Sequence, residues 1–201
     1  AGERIFIGPF QIDFFHVSHS IPDGIGLGIE TPAGLVVHTG DYKFDQTPVD
    51  NWPTDFGALA GFAERGVSVL LSDSTNAENE GWTPSEHQID EALEKVFREA
   101  PGRIIIASFA SLISRMQQVA NAAQRNGRKL AFAGTSMLEN STMAMEHGHL
   151  TVDPTVLVPL QNGLGMKDDQ IVIMCTGSQG EPTSILGRLA LGQNRQFDIK
   201  P

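Results

Sequence analysis

The sequence predicts an α/β protein with a β-rich first portion, followed by a mainly parallel sheet flanked by helices. Two observations carry this. The first forty residues run in short β-branched and aromatic stretches broken at turn residues, and from Thr83 onward strand-like apolar runs alternate with helix-period stretches. Such alternation demands crossover connections, and crossovers of this kind build a mostly parallel sheet with helices on both faces. A chain of 201 residues, 40% of them hydrophobic, can bury a sizeable core as one large domain or two small ones. No internal repeat or low-complexity segment interrupts it.

The elements follow in order. "FQIDFFHVS", "GIGLGIE" and "LVVHTG" read as three strands, the last two joined as a hairpin across "TPAG". A helix is expected from Pro53 to Gly66, then the strand "VSVLLSD" and the loop "STNAENEGW". Thr83, Pro84 and Glu86 have the spacing of a capping box, which predicts a helix from Thr83 with Ile89, Leu93, Val96, Phe97 and Ala100 on its apolar stripe. "RIIIASF" reads as a buried strand. Leu112, Met116, Val119, Ala120 and Ala123 repeat the helical stripe. "KLAFAG" then predicts a strand and "SMLENSTMAMEHG" a helix. An irregular proline-containing connection leads to the strand "QIVIMCTG" and the helix "EPTSILGRLALG", and "NRQFDIKP" reads as the middle of a further strand, cut short.

Composition narrows the function. The longest apolar runs, "VLL" and "III", fall far short of the roughly 20 residues that span a bilayer, so no membrane segment is expected. The first ten residues lack a basic stretch followed by a long apolar one, so neither is a signal peptide. The single Cys175 excludes a disulfide framework or a thiolate zinc site within one chain and fits a reducing, cytoplasmic setting. A net charge of −10 argues against a polyanionic partner. Yet residues 100–138 hold no acid and five cations, Arg103, Arg115, Arg125, Arg128 and Lys129, a local basic stretch that can face phosphate.

Chemistry-bearing residues gather where strands end. Ligands of parallel sheets bind beyond the carboxyl ends of the strands, and the segments just past four predicted strands are "SDST", "SFAS", "GTSM" and "TGSQG". Their hydroxyls and glycines, with helix N-termini following, make Ser108, Ser111, Ser136, Gly177 and Ser178 candidate phosphate contacts. The same residue types also serve as ordinary caps and turns. His19 in "HSIPD" and Asp41 in "HTGD" both sit at strand ends, where turns can aim them into one cleft as metal ligands. His16 and His38 lie within strand runs and are expected to pack or to support the neighbouring ligand turns. His87 is expected to be solvated, and the "EHGHL" pair, His147 and His149, lacks a third donor.

"HSIPDGIGLGIETPAGLVVHTGDYKFDQTP", "LLSDSTNAENEGWTPSE", "FASLISRMQQV", "GRKLAFAGTSM" and "MCTGSQGEP", in this order over nearly the whole chain, resemble the ribonuclease J family. That family is a bacterial and archaeal member of the β-CASP branch of the metallo-β-lactamase fold. The resemblance implies a division into 1–82, the later part of a metallo-β-lactamase segment, and 83–201, a β-CASP domain truncated at its end. It implies that His19 binds one metal ion, that Asp41 bridges two, and that Asp73 of "SDSTN" stands at the active-site edge. The family's HxHxDH run, upstream of "HSIPD", is absent, as are two histidines expected downstream of "TGSQGEP". The chain therefore resembles an internal piece of a larger enzyme. "LISR" stands where the family usually has "NVHR", "GTSM" where it has "GRSM", and "GHL" where it has "GYL". Thr135 thus replaces an arginine in the candidate phosphate cleft.

What the resemblance implies for the whole protein is hydrolysis of RNA phosphodiesters, by 5′-to-3′ exonuclease and endonuclease activity. The cofactor would be two divalent ions, zinc or alternatively manganese, activating a shared water. RNA is the implied partner, with bases stacking on aromatics such as Phe109, and the family forms homo-oligomers. Two ligands cannot close a binuclear site, so the chain by itself is expected to be inactive. Two other readings compete: a lactamase-like hydrolase of thioesters or lactones, disfavoured by the long insertion after "SDSTN", and a non-catalytic RNA- or phosphate-binding module without a metal centre.

Overall fold

The computed structural model describes residues 1–198. It divides into two compact units, Ala1–Gln88 and Ile89 onward.

The first unit is a five-stranded mixed sheet with strands in sequence order: β1 (Arg4–Ile7), β2 (Phe10–His16), β3 (Ile25–Thr31), β4 (Gly34–His38) and β5 (Val67–Leu71). The first four are antiparallel neighbours, and β5 joins β4 in parallel after the helix α1 (Phe56–Arg65). The expected β3–β4 hairpin is present, with Thr31 opposite Gly34 and the Thr31 hydroxyl tying the turn. Asp55 caps α1 by accepting from the Ala58 N–H at 2.9 Å, and Gly66 ends it with φ of 82°. Phe15, Val17, Leu35, Val37 and Phe62 form the core of this unit. The glycines of "GIGLG" make room for its two rings. A Cβ at Gly26 would lie 2.2 Å from the Phe15 ring, and one at Gly28 would lie 2.3 Å from the Phe62 ring.

The second unit holds a three-stranded all-parallel sheet in the order β6 (Ile104–Ala107), β8 (Ile171–Cys175), β7 (Lys129–Ala133). Strand alternation sorts its side chains onto two faces. Leu130, Phe132, Val172 and Met174 pack with α2 (Gln88–Glu99), α3 (Ile113–Arg125) and α4 (Thr135–Glu146) through Phe97, Met116, Val119 and Met137. Ala131, Ala133, Ile171, Ile173 and Cys175 pack with α5 (Leu160–Leu164) and α6 (Ile185–Ala190). Helices thus cover both faces, as the alternating pattern requires. Every residue of β8 is buried, which explains its unbroken apolar run.

Four expectations needed correction. β1 was not anticipated, because "RIFI" is mostly exposed and adds only an edge to the sheet. The helix predicted from Thr83 begins at Gln88. Its capping box does not form, since the Glu86 N–H donates to Asp45 and the Glu86 carboxylate pairs with Lys43. The irregular connection contains α5 and a 3-10 turn at Asp168–Gln170. Asn194 to Asp198 form no strand: Asn194 Oδ1 accepts from the Gln196 N–H at 2.7 Å, folding the segment into a turn, and the rest of that predicted strand lies outside the described residues.

Candidate active-site cleft

The topology of the first sheet decides where the candidate donors fall. β2 and β4 flank the antiparallel β3 and so run in the same direction, and β5 runs parallel to β4. All three therefore end at one edge of the sheet. His19 follows β2, Asp41 follows β4 and Asp73 follows β5.

Backbone bonds then draw the three turns together. The Lys43 N–H donates to the Ser18 carbonyl at 2.7 Å, fastening the Asp41 turn to the His19 turn. Buried Thr54 reinforces this joint: its hydroxyl accepts from the Ser18 N–H and donates to the Lys43 carbonyl. On the other side the Thr39 N–H donates to the Leu71 carbonyl, and the Thr39 hydroxyl accepts from the Asp73 N–H at 3.1 Å. His19, Asp41 and Asp73 consequently line one cleft of about 730 Å³, together with Tyr42, Phe44 and Trp82. Tyr42, Phe44 and Trp82 were not singled out from the sequence, where only an aromatic in a polar glycine-containing loop marks the last of them.

Hydrogen bonds from the Thr75 hydroxyl and backbone N–H, at 2.7 and 3.0 Å, hold the Asp73 carboxyl below the usual carboxylate range. The Tyr42 backbone N–H and the charge of His19 act in the same sense. Asp73 is thus an anion fixed in orientation by its own loop. His16 is buried, stacked on Trp52 at 3.9 Å, with its Nδ1 3.0 Å from the Pro53 carbonyl. His38 Nδ1 accepts from the Gly40 N–H, which shapes the turn before Asp41.

Imidazole and carboxylate are suitable donors for zinc. Among the described residues, however, no three His, Cys, Asp or Glu side chains are grouped so as to hold a metal ion. The donor types fit and the donor number does not, so the chain alone does not form a closed metal site.

In the second unit, the parallel register sets Ala107, Cys175 and Ala133 side by side, so the loops after β6, β8 and β7 leave from one edge. Ser108 and Ser111 follow β6 and Gly177 and Ser178 follow β8 in such loops, whereas Ser136 lies in the first turn of α4, which begins directly after Gly134 at the end of β7. Ser108 is 5% exposed and its Oγ has no hydrogen-bond partner among the described residues, whereas Ser111, Ser136 and Ser178 are exposed. Gly177 has φ of +124°, and a Cβ there would meet Ser184 Oγ at 2.5 Å. Its glycine is thus explained by close packing. Ser184, not the "TGSQG" loop, caps α6, accepting from the Gly187 N–H at 3.0 Å. The five cations of 100–138 are engaged within the protein. Arg103 pairs with Asp168 and Arg125 with Glu94, Arg128 and Lys129 donate to backbone carbonyls, and Arg115 bonds Gln118. Phosphate would therefore not meet five free cations there.

A mixed sheet with His19, Asp41 and Asp73 on its strand-end turns, followed by a parallel sheet layered between helices, defines a two-unit α/β protein with a candidate site at the strand ends of its first unit. The family model for the ribonuclease J β-CASP domain matches residues 101–201. A ribonuclease J from Thermus thermophilus is 44% identical over 99% of this chain and 35% of that protein. Those from Corynebacterium glutamicum and Helicobacter pylori are each 43% identical, over 96% and 98% of this chain and 27% and 29% of theirs. A crystal structure of a protein of unknown function from Enterococcus faecalis shares the fold, with a TM-score of 0.61 over 89% of this chain and 44% of that one, at 15% identity. The chain belongs to the ribonuclease J family. It spans about a third of the length of the curated relatives it matches. No helix among the described residues is long and apolar enough to cross a membrane.

Proposed function

We propose that this chain is part of a metal-dependent ribonuclease that hydrolyses RNA phosphodiester bonds, both 5′-to-3′ from chain ends and internally, in RNA processing and decay. The observation that supports this reading is the cleft itself: an imidazole and two carboxylates, from three turns far apart in sequence, on one wall. His19 and Asp41 would donate to a centre of two zinc ions, or alternatively manganese, completed by polypeptide outside this chain, with Asp73 at its edge. Bound ions of this kind supply an activated water at neutral pH. The turns that carry the carboxylates and the imidazole are tied together by the Ser18–Lys43 and Thr39–Asp73 bonds, so their part would be to present donors from one framework. Ser108, Ser111, Ser136, Gly177 and Ser178 would contact the RNA backbone. Phe109, 46% exposed, would offer a ring to a base. The protein would act in the cytoplasm as a homo-oligomer.

The chain alone is expected to show no turnover. Labelled single-stranded RNA incubated with manganese and nuclease-free protein should remain intact. It should nonetheless bind, with an affinity that falls as salt rises, because ionic contacts to phosphate release counterions. Cleavage that disappears in the Asp41→Ala variant would contradict the expected inactivity. Absence of salt-sensitive RNA binding would contradict the RNA reading.

A further inference from the structure

The wall of the His19, Asp41 and Asp73 cleft carries aromatic rings whose exposure the fold does not account for. Trp82 is 93% exposed and lines the cleft, and among the described residues it makes no ring contact. Trp52, by comparison, is satisfied by its stack on His16. Phe44, 55% exposed, packs against Tyr42 and Phe56 at centroid separations of 4.8 and 5.2 Å and lines the same cleft. Large aromatic side chains are ordinarily fixed by burial, and two left in water on one concave wall call for an occupant.

The chemistry of the wall selects that occupant. A lipid or an apolar protein surface requires a contiguous apolar patch, whereas these rings alternate with carboxylates and with Ser74, Thr75 and Asn76. An unpaired nucleobase matches both features, having a flat face for the rings and a polar edge for the hydroxyls and the amide. We propose that Trp82, backed by Phe44, forms a stacking subsite for an unpaired nucleobase of single-stranded RNA on the wall of this cleft. The proposal rests on the RNA reading above and adds to it the part of the substrate that the first unit grips.

The test compares binding of a short fluorescent oligoadenylate with binding of the same sugar–phosphate backbone carrying abasic sites. Trp82→Ala should weaken oligoadenylate binding about tenfold, the loss of one base–aromatic stack, and leave abasic binding unchanged. Trp82→Phe should restore most of the affinity, and Phe44→Ala should give a smaller loss. Because Trp82 is exposed, neither substitution of it should disturb folding. Oligoadenylate binding by Trp82→Ala equal to that of the unchanged chain would overturn the proposal, as would an equal loss with the abasic strand. Binding of neither strand by the unchanged chain would overturn the RNA reading itself, and this proposal with it.

Discussion

Replacing Phe15 by alanine is expected to destabilise the first unit by about 3–5 kcal/mol, the range for emptying an aromatic site in a packed core. The ring is 2% exposed and meets Phe62 edge-on at a centroid separation of 5.4 Å. Beneath it lies Gly26, whose missing side chain is the space that the ring fills. Glycine cannot reach into the vacated volume, so little of the cavity closes. Gly26→Ala in the unchanged protein should also destabilise, because the new methyl group collides with the ring. In the Phe15→Ala background the same methyl has room, and the two effects should be far from additive. Both tryptophans lie within Ala1–Gln88, so tryptophan fluorescence in a denaturant titration follows this unit specifically. A loss below about 1 kcal/mol for Phe15→Ala, or strict additivity of the pair, would show that this ring and glycine are not matched as described.

The second large effect is expected at Asp45. This buried carboxylate accepts from the Thr47 and Glu86 N–H groups, each at 3.0 Å, and lies 3.6 Å from Lys43 Nζ, which also holds Glu86 at 3.0 Å. It ties the loop bearing Asp41 to the segment entering α2. Removing it leaves two N–H donors unpaired in a partly dry site and leaves Lys43 with Glu86 alone, so Asp45→Ala should cost about 3 kcal/mol. Burial opposes the charge, but the bonds from Glu86, Thr47 and Ser85, with Lys43 nearby, leave the carboxyl below its usual range. A depressed carboxyl stabilises the fold fully above its unfolded value, about 4. That contribution is lost as the pH falls through the lower, folded value. Stability of the unchanged chain should therefore decline below about pH 4 more steeply than that of Asp45→Asn. Parallel acid profiles for the two would contradict the assignment.

Much of this was legible because period and direction are local properties. The apolar run 171–175 announced a strand, which the structure buries completely, and the stripe from Met116 to Ala123 announced a helix. The placement of His19 and Asp41 at strand ends followed from reading three strands, the last two as a hairpin; that β2 and β4 point the same way came from the pairing of both with the antiparallel β3. Long-range choices were not legible. Glu86 has the spacing of a capping partner, but a buried carboxylate 41 positions earlier claims its N–H. The cations of 100–138 form a basic block in sequence, while in space each is paired or bonded to the chain. Trp82 sits in a loop without periodicity, and its importance emerges only from the cleft it lines.

The convergence of His19 and Asp41 on one cleft can be measured by thiol bridging. Cys175 is the only native cysteine, and burial both hides its thiol and pushes it up to about 11, so it stays silent in the folded protein. A His19→Cys/Asp41→Cys double variant, treated with a bifunctional thiol reagent too short to span a strand, should gain one intramolecular bridge by mass spectrometry. A His19→Cys/Glu30→Cys control, whose second site lies at the opposite end of β3, should not. Two separately alkylated thiols in the first variant, with no bridge between them, would contradict the shared cleft and the functional reading built on it.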